Sequence, residues 1–203
     1  MIAIVDYGAG NISSVKKALS HLGAESEVTA DPAVIAKAGK IVVPGVGHFS
    51  RCESLNQHLR KPVLDAIAQG KPFLGICVGM QWLFAGSTES PETPGAAVFP
   101  GECERFRSSV KSPHVGWNQI DVRAGSRLLR GVQDGSFVYY THSYRAPLTD
   151  ATTATSEYGG EFSAAVERDN VFGVQFHPEK SGATGAQVLA NFVAFPAPAG
   201  GRG

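Results

Sequence analysis

The sequence predicts an α/β fold: a mixed, mostly parallel sheet with helices on both faces. Three observations carry it. Apolar runs of about four residues alternate with helical apolar spacings through the first half of the chain. The second half turns to short strand patterns separated by turn residues. A helical pattern then closes the chain before a Pro/Gly-rich tail.

Taken in order, Ile2 to Val5 reads as a strand. Asn11 can cap a helix whose apolar positions are Ile12, Val15, Leu19 and Leu22, stopped by Gly23. Ser26 to Thr29 reads as a second strand. Asp31-Pro32 is an N-cap followed by proline at the first helical position, so a short helix should run to Gly39. Lys40 to Val43 is a strand closed by Pro44-Gly45. Helical patterns fill 53–60 and 62–69, Gly70 is a stop, and Pro72 to Ile76 is the next strand. Beyond it, strands are expected over 115–122, 136–141, 151–157, 162–167 and 171–176, and a helix from about Gly182 to Phe195. With neither internal repeat nor linker, residues 1–196 read as a single domain, followed by a flexible tail over 197–203.

Charge narrows the function. Eighteen basic and eighteen acidic side chains cancel, so neither nucleic acid nor an anionic membrane is expected as a partner. The N-terminus has no basic leader with an apolar stretch, and no window approaches about 18 uninterrupted apolar residues, so nothing is expected to cross a membrane. The cysteines number three, at 52, 77 and 103, which argues for reduced thiols in the cytoplasm.

One of these cysteines stands apart. Gly75-Ile76-Cys77-Val78-Gly79 has the pattern G-x-C-x-G, where a buried strand hands over to a helix. The comparable G-x-S-x-G turn is a nucleophile elbow. Such a turn strains the nucleophile's backbone, and glycine on both flanks removes side chains that would clash. Free N–H groups of the following helix favour the thiolate and can hold an oxyanion. Taken alone, a cysteine of this kind is a buried structural thiol; the junction and its glycines raise the nucleophile reading to equal standing. Cys52, beside Arg51, and Cys103, between Glu102 and Glu104, lack that setting and read as structural.

A thiol nucleophile needs a base and a group to orient it. In Phe172-Gly173-Val174-Gln175-Phe176-His177-Pro178-Glu179, a buried strand ends just before His177. In extended chain, His177 and Glu179 point to the same side, so Glu179 can accept from one imidazole nitrogen and leave the other for the thiol proton. Strand C-termini of a parallel sheet gather at one edge, and both Cys77 and His177 follow one. A lone His-Pro-Glu reads as a solvated loop; beside the elbow, the triad is preferred.

GICVGMQ and FHPEKS together resemble the class I (triad) glutamine amidotransferases. DYGAGN at 6–11, PGVGHF at 44–49, HVGWN at 114–118 and THSY at 141–144 resemble, within that class, the glutaminase subunits of imidazole glycerol phosphate synthases. The resemblance spans Ile2 to about Phe195. It implies a flavodoxin-like fold. It also implies a reaction in which Cys77 attacks the side-chain amide of L-glutamine, His177 acts as acid and base, and Glu179 orients it. Backbone groups of Val46, Gly47 and Val78 would hold the oxyanion. Gln81 and Glu89 would contact the α-substituents, and Ser143-Tyr144 the α-carboxylate. Glu89 lies in a loop rich in Ser, Thr and Glu, where a solvated carboxylate is the alternative.

Asn11, Trp117, Tyr139 and Lys180 match positions facing the synthase subunit, although Trp117 and Tyr139 read equally as core aromatics. Departures from the pattern are Val78 for leucine, Trp82 for a smaller aliphatic residue, and the Ser-rich basic stretch from Arg105 to Lys111. The resemblance implies a heterodimer with a separate cyclase subunit that takes up the ammonia. No cofactor and no metal are expected: no Cys/His cluster has ligand spacing, and no G-x-G-x-x-G follows a strand. The rivals are a glutaminase subunit serving another synthase of the class and a stand-alone cysteine hydrolase.

Overall fold

In the computed structural model, which describes residues 1–198, the first half alternates as expected. The order is β1 (Ile2–Val5), α1 (Ile12–His21), β2 (Ser26–Thr29), α2 (Pro32–Lys37), β3 (Lys40–Gly45), α3 (Cys52–His58), α4 (Arg60–Ala68) and β4 (Phe73–Cys77). Every residue of β1 and β4 is buried, as strands covered on both faces must be. Asp31 caps α2, its carboxylate accepting from Ala33 N at 2.8 Å. Asn11 precedes α1 but its side chain makes no cap bond; the amide donates instead to Glu179 Oε1 at 3.4 Å.

After β4 come α5 (Val78–Gln81), β5 (Gly86–Ser87), β6 (Glu102–Arg105), β7 (His114–Gln119), β8 (Asp121–Val122), β9 (Phe137–His142) and β10 (Tyr144–Arg145). β11 (Thr152–Glu157), β12 (Glu161–Arg168), β13 (Val171–Val174) and α6 (Gly182–Ala194) complete the described chain. The strand expected over 115–122 divides at Ile120, which is fully buried and gives its N–H to Ser136 O. β7 pairs with β9 as a two-stranded ribbon, whereas β8 joins the main sheet. The three-stranded sheet β10-β6-β5 was not anticipated; strands of two to four residues leave no period to read. Of the expected tail, 199–203 lie outside the described residues.

The main sheet runs β2-β1-β3-β4-β13-β12-β11-β8. β2 through β13 in that order are parallel, and β12, β11 and β8 form an antiparallel wing. The path from β1 to β2 moves one way across the sheet, and from β2 to β3 and β4 the other. Right-handed crossovers therefore put α1 on one face and α2 to α4 on the other. Packing agrees: α1 contacts α6, while α4 contacts both α2 and α3. The parallel strands all end at one edge, so the segments after Val5, Gly45, Cys77 and Val174 meet there. Register places Gly45 beside Cys77, and Val174 beside Ile76.

Candidate active site

Cys77 is the last residue of β4 and has φ 53° and ψ −107°. A non-glycine residue at such a φ is strained, and strain of this kind collects where a side chain must be presented. The flanking glycines have separate reasons. A Cβ on Gly79 would run into the carbonyl oxygen of Val43, and one on Gly75 into the carbonyl of Gly79. The turn can be this tight because neither carries a side chain. The helix behind it is short. α5 is a four-residue turn, entirely buried, so the free N–H groups of its start contribute more than any extended dipole.

His177 follows β13 and Glu179 is two residues on. His177 Nδ1 lies 2.9 Å from Glu179 Oε1, and both side chains are 1% exposed. The pairing agrees with expectation, but the geometry does not: Pro178–Lys180 is a 3-10 turn rather than extended chain. Burial alone would lower the His177 pKa. The charge of Cys77 and the bond to Glu179 outweigh burial and raise it to about 10. His177 Nε2 closes no well-formed hydrogen bond in this state, yet Cys77 lies close enough to raise its pKa through both its charge and hydrogen bonding. A backbone clamp fixes the imidazole further. His177 N donates to Tyr139 O at 2.9 Å, Tyr139 N to Ser181 Oγ at 3.0 Å, and Ser181 Oγ to His177 O at 2.6 Å.

A cavity of about 210 Å³ opens in front of the sulfur. Cys77, Gly47, Val78, Gln81, Glu89, Ser143 and Tyr144 line it, so seven of the expected contacts converge. Val46 is half-buried and does not reach the lining. Gly47, at φ 94°, turns the chain here. Glu89 is not a free solvated carboxylate: Oε2 accepts from Phe49 N at 2.8 Å, which anchors the loop to the segment after β3. Pro113, Thr141 and His142 also line the cavity and were given no role from the sequence, although THSY at 141–144 contains two of them. Gln175 was missed as well; its Nε2 lies 3.6 Å from Cys77 Sγ. A glutamine in the apolar run Val171 to Phe176 was the available clue.

Glu179 lines a different cavity, of about 190 Å³, between α1 and α6. The other two cysteines are poor competitors for Cys77. Burial, with Glu89 nearby, pushes the Cys52 thiol up to about 12 despite its place at a helix start. Burial raises Cys103 well above the ordinary thiol value.

The expected partner face is an aromatic patch. Trp117 is 56% exposed, which removes the core reading for that side chain. Register sets it opposite Tyr139 on the β7–β9 ribbon, with ring centroids 6.0 Å apart. Lys180 Nζ sits 5.7 Å from the Tyr139 ring, and Val115 and Phe137 extend the exposed apolar surface. Asn11 is half-buried and reaches the Glu179 carboxylate rather than this patch.

Comparison with known proteins adds three findings. The family model described as Glutamine amidotransferase class-I matches residues 3–195. The imidazole glycerol phosphate synthase subunit HisH of Thermococcus kodakarensis is 48% identical over 198 residues, covering 95% of this chain and 98% of that protein. HisH of Methanothermobacter thermautotrophicus is 46% identical over 194 residues with the same coverage. Among solved structures, a glutamine amidotransferase superposes with a TM-score of 0.75 at 18% identity, over 95% of this chain and 97% of that one. PurLQS from Thermotoga maritima gives 0.73 at 21%, over 95% and 96%. At those identities the superpositions speak for the fold.

Proposed function

The chain belongs to the class I glutamine amidotransferase family, and from that membership we propose that it is the glutaminase subunit of an imidazole glycerol phosphate synthase. It hydrolyses L-glutamine and serves histidine biosynthesis by passing ammonia to a cyclase subunit in a heterodimer, in the cytoplasm, where its three thiols stay free.

The thiolate of Cys77 attacks Cδ of the glutamine side chain. Charge collects on the amide oxygen, which the backbone N–H groups of Val46, Gly47 and Val78 are proposed to hold. His177, already protonated, gives its proton to the nitrogen as the C–N bond breaks and ammonia leaves. Water then attacks the glutamyl thioester, His177 takes its proton, and glutamate departs as Cys77 becomes thiolate again. Gln81 and Glu89 hold the α-ammonium end and Ser143-Tyr144 the α-carboxylate. Residues 1–196 act as one domain in this scheme.

The observation that carries the reading is the convergence, at one sheet edge, of a strained Cys77 and a His177–Glu179 pair 2.9 Å apart. Cys77→Ala tests it. In the complex with the cyclase subunit, the variant should lose glutamine-dependent synthesis and keep synthesis fed by ammonium salts. More than a trace of residual glutaminase would remove the assignment. Strong activity of the free chain would favour a stand-alone hydrolase.

A further inference from the structure

Gln175 is fully buried, does not line the substrate cavity, and has no part in the scheme above. Its hydrogen bonds fix which way its amide points. Gln81 Nε2 lies 2.8 Å from Tyr144 O and 3.1 Å from Gln175 Oε1, so both of its N–H bonds are used. Gln175 must therefore present its oxygen to Gln81 and its NH₂ to Cys77 Sγ, 3.6 Å away. A flip would set two NH₂ groups against each other.

The orientation is held from further off. His142 Nδ1 is 2.8 Å from Tyr144 O and donates to it, which leaves Nε2 an acceptor. His114 Nδ1, 3.1 Å from that nitrogen, is then the donor, and His114 Nε2 accepts from Asn118 Nδ2 at 3.4 Å. Each ring has one permitted tautomer, and a carbonyl with both lone pairs occupied pins Gln81. The run starts on the β7 ribbon and ends at sulfur.

We propose that Gln175 is a further catalytic residue, a fixed amide donor to the Cys77 sulfur. This rests on the reading of Cys77 as nucleophile. An NH₂ group donates and cannot take the thiol proton, so it favours sulfur carrying negative charge. Sulfur carries that charge twice in a turnover: before attack, and as the thioester C–S bond breaks and the electron pair returns to Cys77. None of the ionisable groups around the sulfur, which include His177, Tyr7, Cys103 and the cavity-lining Glu89, His142 and Tyr144, is an amide that could substitute.

Gln175→Met keeps length and apolar bulk and removes the donor. In the complex with the cyclase subunit, kcat should fall roughly 10- to 100-fold with KM little changed, the scale of one hydrogen bond to a charged group. Iodoacetamide should label Cys77 more slowly by a similar factor, and the ultraviolet absorbance of the thiolate should diminish. A merely structural glutamine would leave labelling and absorbance where they were, and wild-type values for both would overturn the proposal. Should the variant not fold, the native protein still decides. The Gln175 side-chain NH₂ resonances should shift when Cys77 is alkylated, and unchanged resonances would overturn it equally. A wild-type complex without Cys77-dependent glutaminase would sink the underlying reading alone, because the labelling comparison needs no substrate.

Discussion

Glu179 shows how much a single residue can be asked to do. Oε1 meets both His177 Nδ1 and Asn11 Nδ2, so one oxygen orients the imidazole and joins it to the start of α1. Glu179→Gln keeps the shape but can offer an N–H where the imidazole needs an acceptor. The expected outcome is a fall in kcat of about 10²- to 10⁴-fold with KM nearly unchanged. Steady-state kinetics of the complex would decide, and a KM effect without a kcat effect would mean that the carboxylate serves binding. The meeting of Cys77 with the His177–Glu179 pair was legible from local patterns, because G-x-C-x-G and His-Pro-Glu each stand at the end of a strand of the parallel sheet. The role of Asn11 was not: an asparagine before a helix has the signature of a cap, and only the fold brings residue 179 within its reach.

At the scale of elements, the β7–β9 ribbon matters most. One face carries Val115, Trp117 and Phe137 exposed, and the other buries Tyr140, His114 and His142. The same ribbon supplies Tyr139, whose carbonyl takes the N–H of His177. A partner resting on the outer face would therefore touch the strand that holds the backbone of His177. Trp117→Glu should weaken association with the cyclase subunit by about 10²-fold, a typical loss for an aromatic anchor, while the free chain keeps its melting temperature. Titration of the labelled chain with the subunit checks this, and an unchanged Kd would move the interface elsewhere. Sequence patterns located β9 and the start of β7 to within a residue but ran β7 three residues too far, and period 2 cannot say which strand a ribbon pairs with. The division at Ile120 depends on Ser136 and Asp134, contacts that no local pattern contains.

For the whole molecule, the two buried histidines outside the His177–Glu179 pair, His114 and His142, set a pH limit. Burial lowers His114 to about 4 and His142 to about 3, from an ordinary value near 6.5. Below about pH 6.5 the unfolded chain binds protons that the folded chain refuses, so folded stability falls with falling pH through that window. Above it both histidines are neutral in both states and the effect is absent. Each contributes a slope of up to about 1.4 kcal/mol per pH unit. Urea midpoints should be lower at about pH 5 than at about pH 7.5, and His142→Gln should flatten the dependence. Equal midpoints at the two pH values would contradict the neutral assignment of the pair.

The adjacency of β4 and β13 has a consequence for how the protein comes to be active. Cys77 and Gln175 touch across 98 residues of chain, and the base lies later still. Closing so long a loop is among the slower events in folding. Synthesis proceeds from the N-terminus, so a ribosome that has released β1 through β4 has made the elbow but neither its base nor its donor. On the proposed assignment, the growing chain thus carries a cysteine that cannot yet turn over glutamine. Catalytic competence arrives only with the last strand of the parallel core, at the moment the sheet itself is complete.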